Sequence, residues 1–187
     1  MQHRSPIPLL IAGKLALLIA LALPPIGSAQ MPVAHPDLTT AVATFQRASH
    51  GDTAAIAPAL RDFTALSAAR PGDPLTLAYA GAATSMQART TWLPWKKLGH
   101  AEDGLAMIDK ALALLTPAHD AVSARGVPVA LETKLTAAGT FLALPAMFNR
   151  GERGRRLLDE VMQHPAFRAT PAPFQDSARQ IAAKAAS

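Results

Sequence analysis

The chain has 187 residues, half of them apolar and only 5% aromatic, and it contains no cysteine. Its 18 lysines and arginines outnumber 13 acids for a formal net charge of +5, spread too evenly for the one-sided basic face of a nucleic-acid binder. Without cysteine there is no disulfide framework, no thiol nucleophile and no lipid-modified N-terminal cysteine.

Arg4 and Lys14 precede the apolar run from Leu15 to Leu23, which Pro24 and Pro25 break ahead of the small residues Gly27, Ser28 and Ala29. Basic, apolar and small-residue regions in this order make a secretory leader, with cleavage expected after Ala29. The run of nine apolar residues is well short of the roughly 20 that span a bilayer, so a retained anchor is the weaker alternative. Losing Arg4 and Lys14 takes the cations to 16 against 13 acids, a mild +3. Residues 30–187 are long enough to bury a core without disulfides and are expected to form one domain. The leader and the Ala-rich composition point to the bacterial envelope, in the periplasm, with secretion or membrane association as alternatives.

Residues 30–187 read as all-α, because apolar residues recur at three and four and no stretch alternates long enough for a strand. A first helix is predicted over Asp37 to Ser49. The second spans Asp52 to Arg70, with Pro58 disturbing its first turn. The third, Asp73 to Arg89, opens on an Asp cap followed by proline and carries the small residues Ala78, Gly81 and Ala82 in its middle. A fourth runs from about Ala101 to Leu115 with Leu105, Ile108, Leu112 and Leu115 as its buried stripe. The fifth, Pro128 to about Leu144, uses Leu131, Leu135, Ala138 and Leu142. Glu152 to Gln163 makes the sixth, and the seventh opens near Pro173 with Phe174, Ala178 and Ile181 on its apolar face.

Three segments repeat one plan: a polar turn with an acid leads into a helix that ends at a proline. The lead acids Asp52, Glu102 and Glu152 stand about 50 residues apart, the signature of stacked helix pairs. "AEDGLAMIDKALALLTP" resembles the second helix of a tetratricopeptide repeat, with Leu105, Ala111 and the closing Pro117 in their usual places. "DPLTLAYAGAATSMQ" resembles a first helix, with Ala78, Gly81 and Ala82 at the close-packing positions and Tyr79 near an aromatic one. The resemblance implies antiparallel helix pairs in a right-handed bundle or short solenoid, irregular because the unit exceeds the family's length of about 34 residues. It also implies a scaffold that binds other proteins.

Within that frame, Thr90 to Gly99 is expected to be an enlarged turn between two paired helices. It holds both tryptophans, with Pro94 stiffening a connector that carries Trp92 and Trp95 outside regular helix. Either the indoles fold back over the end of the helix pair, or at least one is presented beside Arg89, Lys96 and Lys97. Trp95 buried with Trp92 presented combines the two. Arg89, Trp92, Leu93, Trp95, Lys96 and Lys97 are therefore the candidate partner-binding residues. Trp and Arg suit a protein or peptide hot spot, and Trp beside Lys equally suits an anionic membrane surface.

Residues that would carry catalysis do not assemble. The six histidines are spread singly, and no phosphate-cradling glycine loop or serine nucleophile elbow is present. Asp109-Lys110 and Glu132-x-Lys134 read as exposed faces or inter-helix ion pairs, and Arg150, Arg153, Arg155 and Arg156 as a solvated helix face. No metal or cofactor is implied. The expectation is a non-enzymatic, exported protein-interaction adaptor that meets no nucleic acid. The alternatives are an accessory protein of an envelope transporter, bound to anionic lipid through the same turn, and an unrecognised hydrolase.

Overall fold

The computed structural model describes residues 37–186, so the leader expected over residues 1–29 lies outside the described residues. Seven α-helices follow one another among them: α1 Leu38–Ser49, α2 Ile56–Ala69, α3 Pro74–Met86, α4 Pro94–Ala113, α5 Val129–Ala143, α6 Gly151–Gln163 and α7 Ala172–Ala186. No strand forms among the described residues beyond one isolated bridge between Val122 and Pro128.

Local chemistry sets most of the helix starts. The Asp37 carboxylate accepts from the Thr40 backbone N–H at 3.1 Å to open α1, satisfying a donor that the helix cannot use internally. Asp52 accepts from the N–H groups of Ala54 and Ala55, and the chain makes a 3₁₀ turn over Thr53–Ala55 before α2 begins. That turn is the irregular start anticipated from Pro58, which sits in the first turn of α2 where its missing N–H is tolerated. Asp73 caps α3, with Pro74 at its first position.

Helix α4 departs from the expectation by seven residues: it begins at Pro94, not near Ala101. Pro94 occupies the first helical position, where its absent N–H costs nothing and its fixed φ suits the helix. The supposed ten-residue turn thus shrinks to Thr90–Leu93, and Trp95, Lys96 and Lys97 stand on regular helix.

Helix α3 is apolar and buried on all sides, with Leu75, Ala78, Tyr79, Ala80, Ala82 and Ala83 shielded from water. A helix of that kind belongs at the centre, and α3 packs against α1, α2, α4 and α5. Neighbours along the chain pack as pairs, and α1 on α3, α3 on α5 and α5 on α7 form a continuing row. Phe45, Phe63 and Tyr79 close the α1–α2–α3 junction, with Phe63 and Tyr79 stacked at 4.5 Å between centroids.

The α3–α4 contact depends on glycine at two positions. A Cβ on Gly81 would lie 2.7 Å from the carbonyl oxygen of Gly104, and one on Gly104 would strike Ser85 and the Gly81 carbonyl. Gly99, near the start of α4, faces open space. Gly104→Ala should therefore lower stability by about 1–3 kcal/mol through overpacking, whereas Gly99→Ala should raise it by roughly 0.5–1 kcal/mol through helix propensity. Urea unfolding midpoints of the two variants measure the contrast directly.

Candidate interaction surface

Between α3 and α4 the chain is pinned on one side and left bare on the other. A 3₁₀ turn over Gln87–Arg89 ends α3, and Thr90 returns its N–H and hydroxyl to the Gln87 carbonyl. Leu93 is half-buried, donates its N–H to Thr91 Oγ1 at 3.3 Å, and offers its carbonyl to Lys97 N at 3.0 Å as the first turn of α4. Leu93 thus anchors the turn.

Arg89 also belongs to the scaffold. Its guanidinium donates to the Ala48 carbonyl at 2.6 Å, in the last turn of α1 where carbonyls lack intrahelical donors and a cation complements the helix dipole. It fastens the end of α1 to the tip of the α3–α4 hairpin.

The remaining candidates are presented. Trp92 is 82% exposed and Trp95 67% exposed, so neither indole plugs the core. Leu98, one turn beyond Trp95 on the same helix, is a further exposed apolar side chain. It was missed in the sequence because its place beside Trp95 follows only once the helix is known to start at Pro94. Lys96 and Lys97 are exposed and make no ion pair among the described residues. The first turn of α4 contains no acid and its start has no side-chain cap, so its dipole adds to the lysine charge. Two bare indoles, a leucine and an uncompensated positive end make an apolar, cationic patch.

Elsewhere several charged residues are built into helix contacts. Lys134 of α5 pairs with Glu160 of α6 at 2.7 Å. Arg150 grips Asp109 of α4 through both guanidinium nitrogens at 3.2 and 2.8 Å, Arg153 joins it, and both guanidinium groups lie over the Phe141 ring. The basic run starting α6 is therefore only partly a solvated face: its two leading arginines bind α4 to α6.

Glu132, in contrast to Lys134, is not an exposed helix charge. It is buried and accepts from the Tyr79 hydroxyl at 2.8 Å. Burial first, and then the Glu132 charge, hold the Tyr79 phenol well above its ordinary range, so Tyr79 remains a donor. Glu132 sits between Leu131 and Thr133 on a helix buried on most sides, and position in the sequence alone does not distinguish it from a surface acid.

No group of three histidine, aspartate or glutamate side chains among the described residues is arranged to hold a metal ion, and no described helix is long and apolar enough to cross a membrane. Because Trp92 and Trp95 contribute little to the core, Trp92→Ala and Trp95→Ala should each change unfolding free energy by no more than about 0.5 kcal/mol. Arg89→Ala should cost about 0.5–1.5 kcal/mol by removing the tie to the Ala48 carbonyl, which still accepts from the Gly51 N–H at 3.2 Å. Chemical denaturation of the three variants tests the division between presented and structural residues. Compared with known proteins, the chain matches no protein-family model, no curated sequence and no solved structure.

Proposed function

We propose that the protein is a non-enzymatic, exported helical-repeat adaptor of the bacterial envelope that docks a protein partner on Trp92, Trp95, Leu98, Lys96 and Lys97. The observation that carries this reading is the exposure of both indoles at the tip of a pinned hairpin. Each indole left in water forgoes on the order of 3 kcal/mol of burial, a gain open to any partner that covers it. The pairing of successive helices and the row of α1, α3, α5 and α7 support a tetratricopeptide-like arrangement, in which α7 acts as the cap. Rigid helix pairs suit such a role because they hold a contact patch in place at little entropic cost.

The two unpaired lysines beside exposed tryptophans also favour a second reading, an accessory protein of an envelope transporter that docks on anionic lipid. Indoles settle at the headgroup level and each nearby lysine adds about 1 kcal/mol of attraction.

Photo-crosslinking in the cells that make the protein separates the two. Benzoylphenylalanine placed at 95 or 98 should give one discrete protein adduct, absent with the probe at exposed Arg61 and lost when Lys96→Glu and Lys97→Glu are added. Absence of any adduct at 95 and 98, together with salt-sensitive flotation of the purified protein on vesicles of equal parts phosphatidylglycerol and phosphatidylcholine, would replace the protein partner with a membrane surface.

A further inference from the structure

Glu132 lies in the first turn of α5 and is 2% exposed. Its Oε1 accepts from the Tyr79 hydroxyl at 2.8 Å and pairs with the Arg125 guanidinium at 3.0 Å. Neither its second oxygen, Oε2, nor Arg125 Nε has a partner, though both atoms are shielded from water. A buried carboxylate with one oxygen doubly used and the other unsatisfied is a costly arrangement to keep ionised.

Arg125 comes from the segment joining the 3₁₀ turn at Pro117–Asp120 to α5. This segment bonds largely to itself, through Ser123 N to Val127 O at 3.0 Å, Gly126 N to Ser123 O at 2.9 Å and Arg125 N to Ser123 Oγ at 3.2 Å. Val127 is buried, and Gly126, at φ +75°, abuts Pro171. Among the described residues, the pair with Glu132 is the segment's ion pair to a helix. Arg125 also lines a groove of about 750 Å³ with Leu66, Arg70, Asp73 and Leu75, where the end of α2 meets the start of α3.

We propose that Glu132 is a proton-operated latch. Ionised, it holds Arg125 and with it the segment over residues 121–126 against the bundle; on taking up a proton it releases Arg125 and loosens the rim of the groove.

The direction follows from the groups around the carboxyl. Burial pushes Glu132 above the ordinary carboxylate range, Arg125 and then Tyr79 pull it back, and Asp73 at the start of α3 adds to the rise. Because Arg125 favours the ionised form, protonating Glu132 must weaken the hold on Arg125 by the same factor. Release therefore sets in on acidification, at a pH above that at which an ordinary glutamate takes up its proton. A carboxyl raised in the folded state contributes a stability that grows as pH falls through its folded value and fades as pH rises through it. The segment accordingly loosens while the bundle stays folded.

Hydrogen exchange of the intact chain tests the latch. After correction for intrinsic rates, amides of Ser123, Arg125 and Gly126 should open up to about tenfold faster per pH unit on acidification, the limit for one coupled proton. Amides of α5 should stay protected. Glu132→Gln and Arg125→Met should both show the open segment near neutrality and lose its pH response. Equal protection at both pH values in the natural chain, or simultaneous loss of protection in α5, would overturn the proposal, as would either variant keeping the natural chain's pH response.

Discussion

The close approach of α3 and α4, backbone against backbone at Gly81 and Gly104, fixes where nearly everything else can lie. It lets α3 be surrounded by α1, α2, α4 and α5, which in turn requires α3 to be apolar on every face. The small residues Ala78, Ala80, Ala82 and Ala83 meet that requirement. They contribute little volume themselves, so larger side chains from the neighbours fill the space around them: Phe63 and Phe45 on one side, Leu105 and Ile108 on another.

The same contact decides what faces water. With α4 locked to α3 at Gly104, the ten residues of α4 ahead of it run out toward the hairpin tip, where Trp95 stays largely and Leu98 partly exposed. Arg89 holds that tip to the end of α1, so the patch is displayed on a fixed support. The opposite side of α3 carries the other polar commitment of the fold, the Tyr79 hydroxyl bound to Glu132. One central helix therefore connects a bare surface with a buried ionisable group, and packing alone accounts for neither.

Much of the helical framework was legible because its signals are local. Asp73 reads as a cap because Pro74 follows it, and Asp37 and Asp52, read only as the first residues of their helices, cap them in the same way through neighbours two or three residues on. Gly81 could be marked as a close-packing position from its small neighbours. Pro94 was misread because proline between two tryptophans looks the same in a stiff connector as at a helix start; only the backbone of Leu93, accepting from Lys97, separates them. Arg89 and Glu132 could not be placed from sequence. Their partners, Ala48 and Tyr79, lie 41 and 53 residues away along the chain, and long-range contacts of that kind leave no periodic trace.

With only two tryptophans in the chain, fluorescence excited at the red edge of the indole band, where Tyr79 does not absorb, reports on the hairpin tip. Iodide quenching of the folded protein, with Trp92→Phe and Trp95→Phe used to separate the signals, addresses the presented patch most directly. Red-shifted emission from both indoles, quenched nearly as freely as in the unfolded chain, is what the exposed patch predicts. Blue-shifted emission with iodide excluded from either ring would contradict it and return that tryptophan to the core.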